Sequence, residues 1–89
     1  MDFEWDAEKA RLNEARHGVS FAEASEVFGD DYSSSAPDPA HSAEEARYLI
    51  FGKSQRGSYL VVSFTERSDR IRVISSRRMT TRERKAYEQ

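Results

Sequence analysis

The sequence predicts an α+β fold, a small antiparallel β-sheet with two N-terminal helices and one C-terminal helix. Three observations carry this. Residues 6–17 and 20–28 each begin with a helix-capping residue and end at a glycine. Residues 47–77 hold three strand-like runs separated by the turn signals SQRG and RSD. Thr80-Thr81-Arg82-Glu83 then has the spacing of a capping box and opens a last helix. The 89 residues suit one domain, 1–89.

The first helix is DAEKARLNEARH. Asp6 is its N-cap, and Gly18 supplies the left-handed stop. Leu12 is its only large aliphatic residue, so the flanking Trp5 and Val19 supply much of its burial. Ser20 and Glu23 are spaced as a reciprocal capping box for the second helix, which places Phe21, Ala24, Val27 and Phe28 near one face. Residues 29–46, with both prolines, read as a turn-rich connection with at most a short edge strand near Tyr32. The strands follow at Arg47–Lys53, Ser58–Glu66 and Arg70–Arg77, giving the order α-α-β-β-β-α.

Charge is divided along the chain. Residues 1–46 carry 12 acids against 3 Lys and Arg, and residues 47–89 carry 4 against 11. That asymmetry points to an anionic partner for the second half, or to internal pairing of the two halves. With no cysteine, disulfides, thiolate metal sites and a cysteine nucleophile are excluded. The N-terminal MDFEWDAEKA has no signal-peptide character, and no apolar run is long enough to span a bilayer. A cytoplasmic protein without a membrane association is expected.

The arginines concentrate in VVSFTERSDRIRVISSRR, residues 61–78, which holds five. Strand side chains alternate between faces. A two-residue turn at Ser68-Asp69 sets Glu66 opposite Ile71, Phe64 opposite Val73 and Val62 opposite Ser75. Leu60, Val62, Phe64, Ile71 and Val73 then form a core face. Ser63, Thr65, Arg67, Arg70, Arg72, Ser76 and Arg78 form the polar face, and Arg77 falls on the core side near the last helix. Guanidinium forks suit phosphate, so the polar face is a candidate phosphate-binding surface.

FEWD at 3–6, N-x-x-R-H-G-V-S-F at 13–21, PDPAHS at 37–42, ARY at 46–48, TER at 65–67, IRVISSRR at 71–78 and T-x-x-ER-x-x-YE at 80–88 together resemble the BrnT family of bacterial type II toxin–antitoxin toxins. The resemblance implies a RelE-like fold and a toxin that cleaves RNA without a metal ion or cofactor and arrests translation. It also implies a BrnA-like antitoxin with a ribbon-helix-helix DNA-binding segment, through which alone the pair reaches operator DNA. Arg16 stands where the family often has lysine, and ARY replaces ERY. An arginine does not titrate and cannot replace a proton-carrying lysine.

Metal-free RNA cleavage needs a base near the 2′-OH, cations around the pentavalent phosphate, and an acid for the leaving 5′-oxygen. The catalytic candidates are Arg67, Arg77, His17, Glu66 and Tyr87; Lys53, Arg72, Arg78 and Thr65 are candidate RNA contacts. Each has a plainer role available. Arg77 caps or pairs at a strand end, His17 stabilises helix carbonyls, Glu66 pairs near the turn, and Tyr87 packs the last helix. His41 is read as an exposed loop residue. Asp30, Asp31, Asp38 and His41 do not have the spacing of a metal site, and none is predicted. The alternative to a nuclease is a non-catalytic module whose arginine face binds nucleic acid or an acidic protein.

Overall fold

The computed structural model describes residues 1–38, 40 and 45–89; His41 lies outside them. The elements are β1 (Asp2–Glu4), α1 (Ala7–His17), α2 (Phe21–Glu26) with a 3-10 turn (Val27–Gly29), β2 (Ser34–Pro37), β3 (Tyr48–Lys53), β4 (Tyr59–Arg67), β5 (Arg70–Arg78) and α3 (Thr81–Tyr87). The strand order is β1-β5-β4-β3-β2. Three neighbouring pairs are antiparallel, but β1 runs parallel to β5, so the sheet is mixed rather than purely antiparallel. β1 escapes the sequence reading, and β2 lies just beyond the short edge strand allowed near Tyr32. β1 has three residues, and all four residues of β2 are exposed, so neither shows an apolar alternation. Among the described residues no helix is long and apolar enough to cross a membrane.

The capping residues act as their spacing predicts, with one exception. Asp6 accepts from the Lys9 amide, and Gly18 takes φ 70°. Thr80 and Glu83 form a complete capping box. Ser20 accepts from the Glu23 amide, but the reciprocal bond of the expected box is replaced. The Glu23 carboxylate is 7% exposed and accepts from the Ser54 hydroxyl at 2.8 Å. A tertiary donor has won the acceptor from the local one.

One face of the sheet meets α1, α2 and the 3-10 turn. Val19, Phe21, Ala24 and Val27 from that layer pack on Ile50, Leu60, Val62, Phe64 and Val73. Phe28 sits edge-on to Phe64 and tilted against Phe3. The acids of the first half serve the second half directly. Asp30 accepts from the Lys53 amide at 2.8 Å, and Glu26 from the Gln55 amide at 3.1 Å. Together with Glu23 they hold the β3–β4 turn against the helical layer. The internal pairing of the two halves is therefore real, though it does not use every cation.

The β4–β5 hairpin starts in the expected register, with Glu66 opposite Ile71 and Phe64 opposite Val73. It then departs. Ser63 lies opposite Ser75 and Val62 opposite Ser76, which leaves Ile74 as an extra residue, a β-bulge. Beyond the bulge every β5 side chain is on the face opposite to the one expected. Arg77 pairs with Val61 on the second face, and Arg78 pairs with Leu60 on the helical side. Ser76 is likewise on the helical side and buried, not on the polar face.

Candidate active site

The second face of the sheet is covered at its two ends and open in the middle. At one end α3 lies over Phe51, Val61 and Arg77; Val61 is 3% exposed. At the other, the chain at Glu45-Ala46 lies against β4, where the Thr65 hydroxyl donates to the Ala46 carbonyl at 2.7 Å and Arg67 meets Glu45 at 3.1 Å. Between them Leu49, Ser63 and Ser75 share one row across three strands. They floor a shallow trough.

Two arginines flank that row. Arg72 is opposite Thr65, and Arg77 is opposite Val61, each two positions from Ser63 along β4. At about 3.3 Å per residue they bracket a span of roughly 13 Å. The bulge is what allows this, because without it Arg77 would project to the helical side. Neither guanidinium is unpartnered. Arg72 Nη1 donates to Glu4 at 3.0 Å, and Arg77 holds both oxygens of Glu83 at 2.8 and 3.0 Å. Both keep further N–H donors beyond these bonds.

Arg77 has a definite structural function here. Its fork fastens the first turn of α3 to β5, and Glu83 accepts from the Thr80 amide as well. The Arg77 hydrogen bond, aided by those at Thr80, lowers the Glu83 pKa to about 2 from an ordinary 4.5 against the opposing effect of burial. A depressed carboxylate stabilises the fold above its unfolded pKa. That contribution is present above pH 4.5 and is lost as pH falls towards 2. Arg77 is 43% exposed, so solvent screening leaves about 1–2 kcal/mol. Between pH 6 and pH 2 the wild type is therefore expected to lose that much more stability than Glu83→Gln; equal losses in urea titrations would refute the assignment.

Tyr87 donates its hydroxyl proton to Asp30 and stands edge-on to Tyr59 at 5.8 Å. Burial first, then the Asp30 carboxylate, raises its pKa to about 12. At neutral pH Tyr87 is a proton donor and not a base. Burial works against the Asp30 charge, but Tyr87 and the amides of Tyr32 and Lys53 outweigh it and hold the carboxyl below its usual range. Glu23 is lowered in the same manner: burial opposes, while Ser54, Ser58, Arg56 and Arg78 prevail.

The remaining candidates do not all converge. Lys53 sits at the β3 end with its ammonium 5.5 Å from the Tyr59 ring centroid. Thr65 is 1% exposed, so it anchors the chain at Ala46 and offers nothing to a ligand in this conformation. Glu66 is exposed but pairs with Ile71, on the helical side and away from Arg67 and Arg72. Arg78 is exposed on that same side, near Glu23. His17 ends α1 beside Ile74 and Ser75 and, with Arg16 and Lys9, lines a groove of about 550 Å³ that adjoins the trough. Arg67 is at the hairpin end; from Arg70, its partner, to Arg77 is seven residues, roughly 23 Å. The sequence reading missed Ser75 and the acids Glu4 and Glu45. Ser75 needed the bulge to be known, and the acids needed β1 and the contact of the chain at Glu45-Ala46 with β4. Among the described residues no three His, Cys, Asp or Glu side chains gather as a metal site.

The fold and this face define a small α+β domain in which a mixed sheet presents arginines on either side of a hydroxyl-lined trough. The chain belongs to the BrnT family: a family model described as the ribonuclease toxin, BrnT, of type II toxin–antitoxin systems matches residues 5–83. The crystal structure of the Brucella abortus ribonuclease toxin BrnT shares the fold, with TM-score 0.67, 24% identity, and coverage of 91% of this chain and 99% of that one. A search of curated proteins finds no match.

Proposed function

We propose that this chain is a metal-independent endoribonuclease whose RNA cleavage inhibits translation in the cytoplasm, and that a BrnA-like antitoxin with a ribbon-helix-helix segment neutralises it. The observation that carries the catalytic reading is the bulge at Ile74, which sets Arg72 and Arg77 on one face around Ser63 and Ser75. A phosphodiester over the trough meets cations from two sides. The 2′-hydroxyl gives up its proton as its oxygen attacks phosphorus to form a 2′,3′-cyclic phosphate. The bond to the 5′-oxygen breaks and that oxygen takes up a proton, and charge gathers on the non-bridging oxygens, where guanidiniums lower the barrier. His17 lines the α1 groove that shares Ser75 with the trough and is the side chain suited to move a proton. Arg72 grips the phosphate. Arg77 positions α3 and donates from the N–H groups that Glu83 leaves free. Arg67 and Lys53 lie further out and bind flanking phosphates, Arg78 faces the helical side away from the trough, and Tyr87 is a proton donor only if its bond to Asp30 opens.

Purified protein is expected to cut single-stranded or ribosome-bound RNA in the presence of EDTA. Arg72→Ala should lower the cleavage rate about 100-fold, the usual effect of removing one charge-stabilising donor, while leaving the protein folded. An inert wild type on both substrates, or an unaffected Arg72→Ala, would sink the proposal.

One observation favours a second reading, a binding module without catalysis. Arg67, Arg72 and Arg77 are each already paired with a glutamate, which weakens the field over the face. Salt-sensitive RNA binding with no cleavage would select it.

A further inference from the structure

We propose that the cleft between α3 and the β2–β3 edge is a nucleobase pocket, in which Phe51 stacks on a base next to the scissile phosphate and Arg82 holds that nucleotide's phosphate. This rests on the RNA-cleaving reading and names the part of the substrate that the cleft selects. The cleft has a volume of about 320 Å³ and is lined by Ser34, Phe51, Arg82, Glu83, Ala86 and Tyr87. That is the lower end of the size range of small-ligand sites, roughly 300 Å³ and upward.

Three features point to a base and its phosphate. Phe51 is half-buried and faces the cleft, and alone of the five phenylalanines it stands in no ring pair among the described residues. The other four pack ring to ring within the core or its margin. A solitary ring on a cleft wall offers a face for stacking, which is how proteins commonly hold unpaired bases. Arg82 is exposed at the same cleft, and among the described residues no carboxylate lies within ion-pair distance of it. The one acid in the wall, Glu83, is neutralised by the Arg77 fork, so it does not repel a phosphate.

Position supports the pairing with the trough. Phe51, Val61 and Arg77 form one row across the second face, next to the row of Leu49, Ser63 and Ser75. Same-face rows two residues apart along a strand are separated by about 6.6 Å, so the cleft lies about one extended nucleotide from the trough floor. Ser34 on the exposed edge strand is the polar group placed to read a base edge, while the Tyr87 hydroxyl, whose proton goes to Asp30, can only accept.

The test uses the full chain and a short single-stranded oligoribonucleotide with 2′-O-methyl groups, which blocks cleavage, alongside the same oligomer lacking one base. Anisotropy titrations are expected to show wild type binding the intact oligomer about ten-fold more tightly than the best-placed abasic one. Phe51→Leu keeps the apolar cover but should abolish that preference, with an unchanged melting temperature. Arg82→Gln should weaken both oligomers by a similar factor and flatten the salt dependence. If wild type cuts RNA yet Phe51→Leu retains the full preference for the intact oligomer, the pocket is wrong and the nuclease reading survives. If wild type neither binds nor cuts RNA, both fall.

Discussion

Replacing Asn13 with alanine is expected to destabilise the domain by about 3 kcal/mol, which for a chain of this length lowers the melting temperature by roughly 12–24 °C. Asn13 is 8% exposed and acts as a one-residue strand partner. Its Nδ2 donates to the carbonyls of Ser76 and Val19 at 3.0 and 3.1 Å, and its Oδ1 accepts from the Ser76 amide at 3.0 Å. β1 pairs only with residues 70–72 of β5, so beyond them the outer edge of β5 depends on α1 for its partners. Truncation leaves three backbone groups buried and unsatisfied at once, the Val19 carbonyl and the amide and carbonyl of Ser76, whose own Oγ has no partner among the described residues. Asn13→Asp is the sharper control. It keeps the acceptor for the Ser76 amide but turns a carboxylate towards two carbonyls, so its deficit should shrink as pH falls and the acid regains a donor. Scanning calorimetry at pH 7 and pH 4 reads both variants. A loss below about 1 kcal/mol for Asn13→Ala would mean that the clamp carries little stability.

The second large effect is Gly52→Ala. An added Cβ would lie 2.6 Å from Val27 Cγ1 and 3.1 Å from Ser33 Cβ. Val27 is completely enclosed, so it cannot swing aside, and the 3-10 turn must lift from β3. The expected cost is about 2–3 kcal/mol. Lifting the turn also strains the Asp30 contacts to Lys53 and Tyr87 that tie α3 down. Removing the obstruction tests the cause: Val27→Ala combined with Gly52→Ala should be more stable than the two single losses predict, by at least about 1 kcal/mol. Strict additivity in urea titrations would assign the loss to something other than this contact.

The candidate site residues were recognisable by type but not by position. Arg72 lies where alternation from the Ser68-Asp69 turn puts it, because the register holds for the first four pairs. Arg77 and Arg78 exchange faces because Ile74, a good strand residue by every local measure, is the residue that the ladder skips. Thr65 and Glu66 looked like surface groups. One is covered by the chain at Ala46, and the other looks away from the arginines.

What the sequence by itself determined about this protein is what depends on near neighbours. The caps at Asp6, Ser20 and Thr80, the stop at Gly18, the three central strands and the hairpin turn all rest on interactions a few residues apart, whose geometry is set by spacing alone. Tertiary structure decided the rest. The bulge that turns Arg77 towards the trough is one such feature; the choice of Ser54 by Glu23, the clamp of Asn13 on Ser76 and the parallel docking of β1 join residues from 31 to 68 positions apart. Each is settled by which partner is within reach after the core has closed, because a buried donor or acceptor must be satisfied by whatever group lies beside it.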